Sequence, residues 1–261
     1  FVVCVLPILL GFAIPLFVLA AYSIKEGDQL LGGFAGFALN SIGVAAVAAV
    51  IATALALVLA YAQRLSESAL TKGAIRLSTL GYALPGTLLA VALLGPIGGL
   101  DRSLTAFLGD TLNWSGGLVL TGTVALLIYA YVVRFLTVSF NAVSGSLSGV
   151  SPYMDAAARS LGATPREVVR RVHLPLIAPG VSAAALLVFV DVMRELPATL
   201  ILRPFNFETL ATRVYRLASD ERLAEASTAA VAIVLVGLVP VILLYKLGQT
   251  ERPGGPVVST D

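Results

Sequence analysis

The stretch VAAVAAVIATALALVLA, Val44 to Ala60, carries no charge and holds eight alanines in seventeen positions. Extended to residues 37–62 it can cross a hydrocarbon core of about 30 Å, which takes about 20 mostly apolar helical residues. Alanine at this density lets neighbouring backbones come close, so the segment is expected to lie buried between other helices. Working outward, five more segments reach the same length: residues 2–22, 75–95, 117–140, 174–196 and 224–247. Pro7, Pro15, Pro85, Gly86, Pro179 and Gly180 fall inside them, which membrane helices tolerate better than soluble ones. The pattern predicts an all-α membrane protein of six spans.

Composition agrees. Of 261 residues, 58% are hydrophobic and only 12% charged, with a mean hydropathy of +0.94. Soluble domains run at roughly 45–50% apolar and about 25% charged residues, so an ordinary soluble enzyme is excluded. Transmembrane barrels alternate polar and apolar positions, whereas the apolar runs here are unbroken. A net charge of +2 with dispersed basic residues points away from nucleic acid. The single Cys4 reads as a small buried hydrophobe, and one Cys with one His cannot build the usual transition-metal cage. No G-x-x-x-x-G-K-[ST] phosphate loop occurs, so the chain is expected to bind no ATP and to catalyse nothing by itself. No internal repeat suggests the inverted halves of a secondary transporter. Residues 249–261, with Pro253, Gly254, Gly255 and Pro256, read as a disordered tail.

Orientation follows from the basic residues of the loops. Arg64, Lys72 and Arg76 after the second span, and Arg159, Arg166, Arg170 and Arg171 after the fourth, outnumber their acidic neighbours. Both loops are therefore assigned to the cytoplasm, with both termini on the same side. The segment 197–223 resists this rule, because it holds Arg203, Arg213, Arg216 and Arg222 yet falls outside. Arg134, late in the fourth span, is expected to snorkel to the cytoplasmic surface.

The fourth loop, residues 141–173, is too long to be a mere connection. Ser151-Pro152 reads as an N-cap followed by proline at the first helical position. Tyr153 to Leu161 then reads as a helix stopped by Gly162, and Thr164-Pro165 with Glu167 as a second start with a capping box. Two short helices with a glycine corner present a surface to a partner. Without further information an amphipathic helix resting on lipid headgroups fits equally well.

Within that loop, DAAARSLGATPREVVRRVHLP resembles the cytoplasmic EAA loop of ABC importer permeases. That family's pattern is Glu-Ala-Ala, three residues, Gly, nine residues, then Ile-x-Leu-Pro. Ala157 and Ala158 take the two alanine positions, Gly162 the glycine, Val172 the isoleucine, and Leu174 and Pro175 the final pair. Ala156 stands where the family has Glu, and Asp155 precedes it. The resemblance implies a six-helix type I ABC importer transmembrane domain covering residues 1–248, whose coupling helix docks on a separate ATP-hydrolysing subunit. In that reading Asp155 substitutes for the missing Glu from one position away. His173 falls at the pattern's variable position, and its replacement by alanine is expected to change little. ATP-driven closure of two ATPase subunits would rock the spans between inward- and outward-open states. The implied partners are the ATPase subunits, a second permease half, an extracytoplasmic binding protein and the bacterial inner membrane.

Late in the fifth span, Asp191, Arg194 and Glu195 are spaced to share a helix face and to pair. Intramembrane charges usually face a cavity or one another, so these three are candidates to line a translocation path, or else a paired cluster near the outer interface. The block Arg194-Glu195-Leu196-Pro197-Ala198-Thr199-Leu200, followed by Arg203-Pro204-Phe205 and Glu208-Thr209-Leu210-Ala211, is similar to ferric iron permeases. That similarity implies ferric iron as cargo and, since such permeases often fuse two six-span halves, a C-terminal half. Permeases for thiamine, phosphonates, polyamines, molybdate or sulfate share the docking loop, and a gradient-driven secondary transporter is the alternative from another class. Ferric ion is hard and favours oxygen ligands, but a path needs weak contacts that release the ion. No metal site is therefore assigned.

Overall fold

A computed structural model describes residues 2–26, 31–66, 68–112 and 117–250. Of the tail expected over residues 249–261, Gln249 and Thr250 instead end the last helix; the remainder, and the side chain of Cys4, lie outside the described residues. Twelve α-helices are described: α1 (Val2–Ile8), α2 (Ile14–Glu26), α3 (Leu31–Leu65), α4 (Ala69–Ser78), α5 (Gly86–Leu112), α6 (Val124–Ser148), α7 (Pro152–Ser160), α8 (Pro165–Val168), α9 (Leu174–Met193), α10 (Pro197–Leu202), α11 (Leu210–Ser219) and α12 (Leu223–Thr250). No strand occurs among the described residues. Among the described residues, six helical segments are long and apolar enough to cross a membrane: Val5–Lys25, Gly33–Leu65, Gly86–Gly109, Val124–Ser148, Pro165–Met193 and Leu223–Leu243.

The count of six agrees with the sequence, but three boundaries move. The third span is not 75–95. Ser68 caps α4 by accepting from the Leu70 amide. That helix then stops at Ser78, where the Thr79 hydroxyl takes the Ile75 and Arg76 carbonyls. A 3₁₀ turn, Gly81–Ala83, and Pro85 separate α4 from the spanning helix α5. The fourth span is not 117–140. Residues 117–123 are non-helical, and the amides of Val119, Leu120 and Thr121 all point at the carboxylate of Asp101, at 2.7–3.1 Å. Asp101 is fully buried within α5, a position the sequence reading leaves in a loop. A buried carboxylate is tolerable only when hydrogen-bonded, and these amides supply the bonds. The fifth helix ends at Met193 rather than 196, because Pro197 has no N–H to continue it and starts α10 instead.

Two π-helical turns, Leu9–Ala13 and Val169–His173, each end two residues before a proline, Pro15 and Pro175. A proline ring clashes with the carbonyl four residues back and offers no amide to it. Widening the turn just before the ring accommodates both problems without ending the helix.

The chain divides into two compact units. The first comprises the described residues of 1–48, 84–131 and 191–237, the second those of 49–83, 132–190 and 238–261. In the first, α10 packs on α5, and the buried Tyr131 hydroxyl meets Thr199 Oγ1 at 2.6 Å. The second unit is built around Ala56 and Ala60 of α3, Ile75 of α4, Leu136, Phe140, Val143 and Leu147 of α6, and Ile177 and Ala184 of α9. The alanine stripe of α3, Ala45, Ala48, Ala49, Ala52, Ala56 and Ala60, is buried, while Val47, Val50, Leu55 and Val58 on its other side are exposed. The expectation for this helix holds. Small residues set the distances elsewhere in the second unit: a Cβ on Gly180 would stand 2.4 Å from Ser146, and one on Gly81 2.0 Å from the Val133 carbonyl oxygen.

Candidate functional site

The segment between α6 and α9 forms the two-helix device that the cap residues imply. The Ser151 hydroxyl accepts from the Tyr153 amide and Pro152 opens α7. The α7 helix closes in a Schellman arrangement: the Gly162 amide bonds Arg159 O and the Ala163 amide bonds Ala158 O. Gly162 has φ +85°, a left-handed conformation that a side chain would strain. Thr164 and Glu167 form a reciprocal capping box, and α8 runs on through the π-helical turn into α9. The second helix is therefore continuous with the following span, whereas α7 hangs between two turns.

Of the motif residues, Ala156, Ala157 and Gly162 are exposed, Ala158 and Val172 are half-buried, and Leu174 and Pro175 are exposed at the root of α9. Two large apolar residues bracket this surface of α7: Tyr153 is 84% exposed and Leu161 90%. Asp155 points the other way. Its Oδ1 lies 2.6 Å from His173 Nε2 and its Oδ2 3.2 Å from Arg64 Nη2. Burial alone would raise this carboxyl. The hydrogen bonds from His173 and Arg64, and the charge they bring, outweigh it and hold the group below its ordinary value. The carboxylate partner requires that His173 Nε2 carry the proton.

Arg64, at the end of α3, also donates from Nη1 to the carbonyls of Leu147 and Val150, at 3.1 Å each. These carbonyls lie at and just beyond the C-terminus of α6, where backbone acceptors lack helical partners. His173 is 3% exposed and stacks on Tyr61, with ring centroids 5.7 Å apart. It is therefore not the neutral filler that the sequence suggests. The i to i+18 pairing of Asp155 with His173 has no local signature, and a lone His beside Leu-Pro draws no notice in the sequence.

In the first unit, Arg194 pairs with Asp191 as the spacing predicts. Arg194 and Glu195 both lie beyond Met193, the last residue of the helix that holds Asp191. Glu195 is buried there, and its Oε1 accepts from the Ala198 amide at 3.2 Å, capping the start of α10. The arginines after α10 are engaged as well. Glu208, itself buried, meets Arg216 at 2.5 Å and Arg203 at 3.7 Å; Arg222 pairs with Glu225, and Arg213 lies over the Phe37 ring at 5.5 Å. Arg203, Glu208 and Arg216 line a pocket of about 650 Å³ beside Phe37 and Phe205. Arg134 stands mid-way along α6, over Phe135 at 5.7 Å, rather than near a helix end from which it could snorkel. No group of three or more His, Cys, Asp or Glu among the described residues is arranged to hold a metal ion.

Comparison with known proteins places this geometry. No family model matches the chain. It is 33% identical over 207 residues to the Fe(3+)-transport system permease protein FbpB 2 of Haemophilus influenzae, covering 79% of this chain and 38% of that protein. The chain is a homologue of ABC transporter permeases. The trehalose transport system permease protein SugB of Mycobacterium tuberculosis is 27% identical over 223 residues, 85% of this chain and 75% of that permease. The chain thus spans well under half of the iron permease it matches and most of the sugar permease. Among solved structures, a bacterial alginate ABC transporter in complex with an alginate pentasaccharide-bound periplasmic protein superposes with a TM-score of 0.72 at 12% identity, over 95% of this chain and 91% of that one. The fold is that of an ABC importer transmembrane domain.

Proposed function

We propose that the chain is a membrane-spanning permease subunit of an ABC importer, and that α7 is the helix through which a separate ATPase subunit drives it. The observation that supports this most directly is α7 itself: a capped helix held between two turns, with Ala156 and Ala157 exposed at motif positions and Tyr153 and Leu161 exposed beside them. In this reading ATP stays on the partner, an extracytoplasmic protein delivers the solute, and the α7 side faces the cytoplasm of a bacterial inner membrane. A second permease half, fused or separate, completes the path. Asp191 with Arg194 is the candidate path lining; Glu195 is engaged at the start of α10.

Ferric iron is the cargo we favour, supported by the relative with the stated Fe(3+) role. A sugar is the second reading, supported by the trehalose permease relative. Proteoliposomes containing the permease, its ATPase and the binding protein should accumulate radiolabelled ferric iron only with internal ATP, and labelled trehalose not at all. Trehalose uptake would reverse the assignment of cargo. Uptake driven by a proton gradient without ATPase would replace the importer reading by a secondary transporter. Deleting residues 155–162 should abolish copurification with the ATPase, and a complex that survived would sink the docking role of α7.

A further inference from the structure

The acid of the coupling segment faces inward, which raises the question of what it holds. Asp155 is met by a side chain from the end of α3 and by another from the π-helical turn that leads into α9. Arg64 reaches past the carboxylate to the last carbonyls of the α6 end. His173 is locked behind it by Tyr61 and by burial. All four residues belong to the same compact unit. Besides these bonds, α7 is joined to the spans by the Gly149-Val150 turn, by the Gly162 corner and by its contact with α8, and both glycines are places where the backbone bends readily.

We propose that Asp155, Arg64 and His173 form a tether that fixes α7 to the ends of α3 and α6 and to the root of α9, so that these three are positioning residues for energy coupling and not contacts to the ATPase. The proposal rests on the permease reading above. A push delivered to α7 is useful only if α7 moves as one body with the spans, because a hinged lever absorbs the stroke. The polar tether supplies that stiffness at the one helix of the segment that does not run directly into a span. Removing one partner of a half-buried pair leaves the other unpaired, so each of the three should matter, and the losses should not add.

The test uses the complete complex. Asp155→Asn, Arg64→Gln and His173→Ala should each keep the ATPase bound and hydrolysing ATP, while ferric iron taken up per ATP falls roughly 3- to 30-fold, the range expected for residues that modulate coupling. The conservative Arg64→Lys should retain more coupling than Arg64→Gln. A second readout needs no transport: trypsin cleavage after Arg159, on α7, should speed up by about tenfold in the same variants of the isolated permease, because a released helix opens more often. Loss of ATPase binding in Asp155→Asn alone, with Arg64→Gln and His173→Ala behaving as wild type, would make Asp155 a docking residue and overturn the tether. Unchanged cleavage in all three would overturn it too. If the wild-type complex takes up no iron, the cargo reading fails, and the cleavage assay still decides the tether.

Discussion

Asp155 is a residue whose charge state the fold controls through named partners. Its partners hold the carboxyl below its usual range, so the unfolded chain takes up the proton first as pH falls. A depressed carboxyl contributes stability that is fully present above its unfolded value, near 4, and is lost as pH drops through the folded value. The difference in Tm between wild type and Asp155→Asn in detergent should therefore shrink as pH falls below about 4. A difference that persisted unchanged well below about pH 4 would contradict the pairing. His173→Ala removes a 97%-buried ring and one of the two side chains that meet Asp155. A loss of about 2 kcal/mol is expected from cavity and broken hydrogen bond together, read as a lowered midpoint in thermal unfolding. Asp101→Ala should cost at least as much, because it orphans the amides of Val119, Leu120 and Thr121 at once. Asp101→Asn keeps one acceptor oxygen and should cost less.

At the scale of elements, helix spacing is decided by what is absent. Gly81 abuts a backbone carbonyl that has no rotamer to escape into, while Gly180 abuts the side chain of Ser146. Gly81→Ala should therefore destabilise by about 1–3 kcal/mol, as overpacking does. Gly180→Ala should be relieved by the second change Ser146→Gly, and a double variant no more stable than the single would argue against close approach of α6 and α9 here. The same elements show what a sequence can and cannot reveal. The six spans are legible because each is one continuous apolar run of about 20 residues, and the Ser151 and Thr164 caps and the Gly162 stop because each depends on residues a few positions apart. The starts of α5 and α6 are not. Asp101 looks like a loop charge until amides 18 to 20 residues later are seen to wrap it, and the apolar run 117–123 looks helical until those amides are seen to be spent. Glu195 was misplaced for a related reason. Helical spacing from Asp191 assumed a helix that Pro197 ends, and its side chain turned to the next helix instead.

At the scale of the whole molecule, apolar exposure has two meanings. Val47, Val50 and Val58 on α3, or Leu235 and Val239 on α12, are exposed along helices long enough to span, where acyl chains satisfy them. Tyr153 on α7 and Leu161 at its C-cap are exposed on a nine-residue helix and its end, too short and too polar to enter lipid, so their exposure requires another explanation. A protein partner that covers them would gain about 25 cal/mol per Å² of apolar surface buried, whereas within this chain they contribute almost no packing. The double substitution Tyr153→Ser with Leu161→Ser should then leave the unfolding free energy of the permease within about 0.5 kcal/mol of wild type. It should also weaken copurification with the ATPase by at least about tenfold, the effect of losing one or more interface anchors. If lipid headgroups cover this surface instead, the ATPase would bind unchanged and the variant would detach α7 from vesicles alone. The two outcomes separate a docking helix from an interfacial one, and they do so without reference to the solute carried.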